Sequence, residues 1–279
     1  MTSGFDLDHT SFAVHDALGW ARRLRRELGA VPVCGEVLPE FRYLLLYVGT
    51  ADEGGRLELL EPVADGFLTR FLKAHGEGPH HLTFTVPDLA KAVGEVRSLG
   101  MTVVGESYGN PAWREAFVMP DAVHRTVIQL AQTDMIYPDP RELVASTARD
   151  PSTLPSVEGA TQPLWWTSLW DTSAEASARQ GPTHLASSDL ALSRRLFTEI
   201  LGAQVLERDG SLDLSWPSGS ICVHPADAPD APDAPDAPDA PDAPDAPDAP
   251  DIPGITGISI YGGPPQPITI GSARLAGGS

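Results

Sequence analysis

Histidine recurs in this chain at the head of similar segments, and imidazole is the side chain that binds divalent metals or moves protons near neutral pH. His9 opens His9-Thr-Ser-Phe12-Ala-Val14-His-Asp16, and His81 opens His81-Leu-Thr-Phe84-Thr-Val86-Pro-Asp88. His184 opens His184-Leu-Ala-Ser-Ser-Asp189. Each segment runs on to a Leu-Gly pair, at Gly29, Gly100 and Gly202, with His-to-Gly spacings of 20, 19 and 18 residues. A single strand histidine is more often a hydrogen-bonded structural residue; recurrence at one point of a repeat makes a shared site worth testing. Other reactive groups are sparse. Cys34 and Cys222 fit no C-x-x-C pattern and read as free buried thiols. No Walker-type glycine loop is present. The cluster Arg22-Arg23-Leu-Arg25-Arg26 reads as a solvated helix face, with an anion such as coenzyme A as the sharper alternative.

The elements that must position these residues follow from local chemistry. His9 to Val14 and His81 to Val86 are short and rich in Thr, Phe and Val, as strands are. Asp16, Asp88 and Asp189 stand where a helix N-cap is expected, since a carboxylate there accepts the free amides of the first turn. Leu89, Val93, Val96 and Leu99 give the second helix one apolar face. Gly29, Gly100 and Gly202 fall where a left-handed C-cap needs no side chain. Strand-like runs follow at Arg42 to Val48 and Arg56 to Glu61, and again at Glu115 to Met119 and Arg125 to Ala131. Each unit therefore reads βαβββ. Two units fill residues 5–132, and a third fills 183–225 with strands at Leu212 to Trp216 and Ser220 to His224. Gly257 to Tyr261 looks like the start of a fourth unit in 254–279, which is too short to hold a whole one. The expected fold class is α+β: a half-barrel domain of paired βαβββ units, then a degenerate second domain of the same type.

Residues 133–181 connect the two and hold Trp165, Trp166 and Trp170. The segment is too apolar for a free linker and is expected to pack against a domain, over a pocket mouth. Residues 226–253 contain eight Asp-Ala-Pro triplets, 227–250. Proline at every third position removes backbone donors, and the aspartates repel one another, so disorder is the expectation there.

The 279 residues suffice for one large or two modest domains. The formal net charge is -19, and nine aspartates of the repeat account for nearly half of it. An acidic chain repels phosphate backbones, which argues against nucleic acid as a partner. No apolar run approaches the ~20 residues needed to span a bilayer. Met1 to Asp8 carry neither a basic start nor an apolar signal core, so a cytoplasmic protein is expected.

Paired βαβββ units with a histidine opening the first strand of each resemble the vicinal oxygen chelate superfamily, which includes glyoxalase I, methylmalonyl-CoA epimerase, extradiol dioxygenases and bleomycin or fosfomycin resistance proteins. The segments Arg56-Leu-Glu58-Leu-Leu-Glu-Pro62 and Gly78-Pro-His-His81-Leu-Thr-Phe look most like methylmalonyl-CoA epimerase and its glyoxalase-like relatives. The resemblance implies metal ligands on the first and last strands of each unit. By motif these are His9, Glu58, His81 and Gln129, the last in Thr-Val-Ile-Gln-Leu, with His80 beside the ligand histidine. Imidazole, carboxylate and amide oxygen suit Zn, Ni, Co, Fe or Mn, and the set is too nitrogen-rich for Ca. Alternation puts His9, Ser11 and Ala13 on one strand face. His184 has no such partners in sequence and reads as structural or pocket-lining.

The implied chemistry is that of a metal-dependent lyase or isomerase acting on a small carbonyl or acyl substrate through a metal-stabilised enolate. Glu58 is the expected base, acting when it swings off the metal, as ligand glutamates are thought to do in glyoxalase I. The epimerase pattern of two glutamates is not met: residues 42–48 lack a carboxylate, and Gln129 cannot accept a proton. Two other readings stand beside it. His9, His81 and Glu58 make a two-histidine, one-carboxylate set suited to an iron dioxygenase, and the degenerate second domain suits a non-catalytic, antibiotic-type binding protein. A homodimer is an allowed assembly.

Overall fold

The computed structural model describes residues 4–146, 149–150, 153–157, 165–208, 210–226 and 254–277; the Asp-Ala-Pro repeat lies outside them. The first βαβββ unit comprises β1 (Asp6–Ala13), α1 (Ala17–Leu28), β2 (Val31–Val37), β3 (Phe41–Gly49) and β4 (Gly54–Pro62). A helix without sequence warning, α2 (Phe67–His75), precedes the second unit. That unit comprises β5 (Gly78–Thr85), α3 (Leu89–Ser98), β6 (Val103–Ser107), β7 (Trp113–Val118) and β8 (Val127–Thr133). The short helix α4 (Pro140–Ala145) and a 3-10 turn, Thr167–Asp171, lie in the connecting segment.

The second half repeats the plan with β9 (Arg179–Ser187), α5 (Leu190–Arg194) extended by a π-helical turn, Arg195–Ile200, β10 (Gln204–Arg208), β11 (Ser211–Trp216) and β12 (Gly219–Pro225). Three further strands close it: β13 (Ile255–Tyr261), β14 (Ile268–Ile270) and β15 (Ala273–Gly277). No helix stands between β13 and β14, so the last unit is a reduced one.

The local signals act as expected. Asp16, Asp88 and Asp189 accept the backbone amides of Gly19, Lys91 and Leu192 at 2.8, 3.0 and 2.9 Å. Gly29 ends α1 in the left-handed region at φ 75°, where a Cβ would also strike the Ala176 carbonyl.

The strands form two sheets, in the orders β2-β3-β4-β1-β5-β8-β7-β6 and β10-β11-β12-β9-β13-β15-β14. In each, the first strands of successive units lie antiparallel at the centre, flanked in parallel by the last strands. The two sheets share their cores. One cluster joins Leu82, Phe84 and Ile128 to Phe197, Trp216 and Ile221, and another joins Phe12, Leu24 and Leu57 to Ile258 and Leu275. Thr10 and Thr183, on the central strands of the two sheets, meet at 2.9 Å between their hydroxyl oxygens.

Strand alternation then decides what the other face of the first sheet carries. Phe12, Leu57, Leu59, Leu82, Phe84, Ile128 and Leu130 are buried in the shared cores. The residues between them, His9, Glu58, His81 and Gln129, face a cavity. A register shift between Leu7 and His9 sets the phase of β1, so that Leu7 joins the core while His9 turns to the cavity.

The connecting segment packs against the first domain, but its tryptophans do not roof the cavity. Trp166 is fully buried beside α1 and donates from Nε1 to the Gly35 carbonyl at 3.0 Å. Trp165 and Trp170 receive the guanidinium groups of Arg42 and Arg25 over their rings. Tyr137 and Val157, from the same segment, reach the cavity instead. Two arginines of the cluster take part in this packing, Arg25 donating to the Thr172 carbonyl and Arg22 to Ser168; Arg25 also donates to the Ala30 carbonyl, and Arg23 pairs with Glu27 on its own helix. None of these arginines lines the cavity.

Candidate metal centre

Four strands deliver one polar side chain each to the wall of a cavity of about 1100 Å³. The Nε2 atoms of His9 and His81 lie 3.3 and 3.8 Å from Glu58 Oε2. Gln129 Oε1 lies 3.1 Å from His81 Nε2. Among the described residues, His9, Glu58 and His81 are the group whose ligand atoms fall within 4.8 Å of one another. All four side chains anticipated from sequence are thus brought together, and all four are buried.

Two hydroxyls knit the cluster. Ser11 Oγ donates to Glu58 Oε2 at 2.7 Å and lies 3.0 Å from His81 Nε2. Thr83 Oγ1 donates to Gln129 Oε1 at 2.7 Å and lies 3.0 Å from His9 Nε2. Ser11 and Thr83 each sit two residues past a site histidine, on the same strand face.

The surroundings hold each donor in place. His9 Nδ1 donates to Asp8 Oδ1 at 2.7 Å. Arg56 supports Asp8, donating from Nε to its backbone oxygen at 2.7 Å, with Nη2 at 3.7 Å from its carboxylate. The Arg56 guanidinium also lies over the Tyr137 ring. His80 Nδ1 and His81 Nδ1 are 2.8 Å apart, so one donates to the other. The His80 ring stands against Phe67 and Phe71, which fixes it from the α2 side. Gln129 Nε2 donates to Glu115 Oε2 at 2.7 Å, and Trp113 Nε1 donates to the same oxygen at 2.9 Å.

Charge is distributed unevenly across the cluster. Burial opposes a charged His9, but the Glu58 carboxylate and Asp8 outweigh it and hold the imidazole up to about 9. Burial dominates at His81, where Glu58 offsets it only in part, and the ring is pushed down to about 4. Burial also takes His80 well below its usual range. Burial would raise Glu58, yet His9 and the Ser11 hydrogen bond keep its carboxyl below the usual range. The cluster therefore holds one cationic imidazole, one neutral imidazole and one carboxylate at neutral pH.

The donor set fits a divalent ion. Two imidazole nitrogens, a carboxylate oxygen and an amide oxygen are ligands of the borderline metals. Bonds of about 2.0–2.2 Å place neighbouring ligands roughly 3 Å or a little more apart, close to the separations between these donors.

The rest of the wall is mixed, with Phe41, Tyr43, Phe67 and Phe117 beside the charged Glu40, Asp65, Arg70 and Lys73. The Tyr43 hydroxyl donates to the buried Glu36 at 3.1 Å. Residues that sequence reasoning missed are Asp8, Thr83, Arg56 and Glu115. For Glu115 a signal existed, since β7 is the second unit's copy of β3, the strand in which a carboxylate was sought and not found.

His184 lies apart from this cluster. Its Nε2 is 2.8 Å from Ser259 Oγ, in a smaller cavity of about 490 Å³ that also includes Asp213 and Cys222.

Paired βαβββ units with a polar cluster in the cavity can be compared with known proteins. Residues 8–117 match the family model described as Glyoxalase/Bleomycin resistance protein/Dioxygenase superfamily. The match covers less than half of the chain, and Gln129 lies beyond it. The chain is similar to Streptomyces coelicolor methylmalonyl-CoA epimerase, solved as a variant with 2-nitronate-propionyl-CoA, at 26% identity over 48% of this chain and 100% of that one, with a TM-score of 0.42. The Mycobacterium tuberculosis epimerase gives 26% identity over 46% and 89%, with a TM-score of 0.40. A variant of Streptomyces coelicolor 4-hydroxymandelate synthase gives 14% identity over 92% and 71%, with a TM-score of 0.51, a likeness of fold that takes in the second half as well. No curated protein matches the sequence.

Proposed function

We propose that the first domain is a metal-dependent lyase or isomerase of the glyoxalase or epimerase kind, acting on a carbonyl or acyl substrate with His9, Glu58, His81 and Gln129 as the metal ligands. The observation that carries this reading is the convergence of these four donors in a cavity large enough for a drug-sized molecule. A bound divalent ion supplies a Lewis acid for a substrate oxygen, and so acidifies the adjacent carbon.

The chain's own residues supply the rest. Glu58 is the carboxylate within the donor cluster and, once it swings off the metal, the group that would take a proton from that carbon, the C–H electrons passing to the substrate oxygen. His9 and Ser11 hold Glu58 ionised, which keeps it ready but makes it a weak base. A weak base suffices only for an acidified carbon, which is why ligand and base belong to one cluster. Phe41, Phe67 and Phe117 give part of the cavity wall an apolar surface for the body of the substrate. Arg70 and Lys73 of α2 line the same cavity and offer positive charge to an anionic end of the substrate.

A second reading has a specific observation in its favour. Three of the donors, His9, His81 and Glu58, make the two-histidine, one-carboxylate set of non-haem iron oxygenases. Metal analysis of protein purified without added metal separates the two. About one equivalent of Zn, Ni, Co or Mn per chain, lost in His81→Ala, with deuterium exchange into a carbonyl substrate that Glu58→Gln abolishes, supports the lyase or isomerase. Iron with oxygen consumption supports the oxygenase. No metal uptake by the wild type overturns both and leaves a small-molecule binding protein.

A further inference from the structure

The two ends of the Gln129 amide face different chemistry. On one side, Thr83 Oγ1 and His81 Nε2 stand 2.7 and 3.1 Å from Oε1. On the other, Glu115 Oε2 stands 2.7 Å from Nε2. A carboxylate only accepts hydrogen bonds, so the amide nitrogen must occupy the Glu115 side. The amide oxygen is thereby turned toward the donor cluster. Were the amide reversed, two oxygens would meet at the Glu115 side, and an NH2 group, which cannot ligate a cation, would face His9, Glu58 and His81.

Glu115 is itself held. Trp113 Nε1 donates to the same oxygen at 2.9 Å, from the same strand and from a residue of the cavity wall. β7 pairs antiparallel with β8, with Glu115 opposite Ala131 and Phe117 opposite Gln129, so the contact between Glu115 and Gln129 is a diagonal cross-strand one fixed by register.

We infer that Glu115 is a positioning residue of the metal centre, which selects the amide oxygen of Gln129 as a ligand and supplies the negative charge that an amide ligand lacks. This inference rests on the metal-site reading above. Glu58 is the one carboxylate among the four proposed ligands, so those ligands alone neutralise half the charge of a divalent ion. Glu115, one amide away, carries the second negative charge, and its charge-assisted bond to Nε2 draws electron density toward Oε1. Partners behind a ligand of this sort typically contribute 10–100-fold to metal affinity.

The test is a set of four full-length proteins, wild type, Glu115→Gln, Gln129→Glu and the double variant, stripped with chelator. Each is titrated with Zn against a chromophoric competitor, and with Co for the visible spectrum of the bound ion. The expected result is a roughly 10–100-fold weaker Zn affinity in Glu115→Gln, with an altered Co spectrum. A carboxylate at 129 has two equivalent ends and nothing to flip. In the Gln129→Glu background the Glu115→Gln change should therefore not weaken binding, and should tighten it by removing a carboxylate pair. Unchanged affinity in Glu115→Gln alone, or equal weakening in both backgrounds, overturns the positioning role while leaving the metal site standing. Absence of Zn and Co uptake by the wild type overturns the metal-site reading itself, and the positioning role with it.

Discussion

His9 donates from Nδ1 to Asp8 Oδ1 across 2.7 Å while its Nε2 faces Glu58 at 3.3 Å, so one buried imidazole has an acceptor at each nitrogen. Both ring protons are satisfied only in the imidazolium, which is why the group titrates near 9 in spite of its burial. His81, without a carboxylate at Nδ1, goes the other way, to about 4.

The stability of the metal-free protein should therefore peak near pH 6.5. A folded-state value above the unfolded one gives stabilisation that is full below about 6.5 and is lost as pH rises to about 9; for His9 the span corresponds to about 3 kcal/mol at most. A depressed value acts oppositely, so His81 costs stability as pH falls from about 6.5 toward 4. Urea unfolding with chelator present, followed from pH 5 to 9, should show the maximum. A monotonic rise through pH 9 would contradict the charged His9.

A metal must displace the Nε2 proton of His9, so binding at pH 7 should release about one proton, and affinity should rise with pH up to about 9. Calorimetry in buffers of different ionisation enthalpy measures the proton count. At 100 times the dissociation constant, bound metal should add about 2.7 kcal/mol of stability, and His81→Ala should lose this increment.

Arg56→Ala should be strongly destabilising. Arg56 anchors the buried Asp8 and lies within 3.6 Å of Asp6. Removing one partner of a buried pair leaves an uncompensated charge, at a cost of roughly 3–5 kcal/mol. Metal affinity should fall too, because Asp8 orients His9. Denaturant midpoints and Zn titration test both effects. A drop in stability alone would mean that Asp8 keeps its place without the guanidinium.

Trp166→Ala should separate packing from chemistry. The ring is fully buried against α1 and is not part of the cavity lining, so truncation should cost about 3–5 kcal/mol while metal stoichiometry is kept. Loss of metal at temperatures where the variant stays folded would tie the connecting segment to the site.

Much of this arrangement was legible in the residues. The repeat of His9, His81 and His184 and the caps Asp16, Asp88 and Asp189 fixed the units, because a cap and a left-handed glycine are local chemistry. The alternation of Leu57, Glu58 and Leu59, or Ile128, Gln129 and Leu130, shows in sequence that the polar residue faces away from its neighbours. It does not show toward what. Glu115 and Asp8 were missed because their importance lies in partners across a strand or a bulge, which only register supplies. Helix α2 was missed because Phe67, Leu68, Phe71 and Leu72 form too short an apolar pattern to stand out beside the strand that follows. The surface that takes each tryptophan was not legible, because apolar composition announces burial without naming the surface that accepts it.

Deleting residues 227–250 should leave both the fold and the site intact. β12 and β13 flank β9 on either side, with Pro225 opposite Ser187 and Ile255 opposite Leu185. The strand ends that the repeat joins are thus about two strand spacings apart, roughly 10 Å, a gap that a handful of residues spans. Shortening a long connection lowers its closure entropy, by about 0.6 kcal/mol for each halving, so the change should be neutral or slightly stabilising. It also removes eight of the nine repeat aspartates. The variant should therefore run at higher isoelectric point with the same melting temperature within a few degrees and the same metal content. A fall in metal content or a large loss of stability would assign the repeat a role in holding the two sheets together.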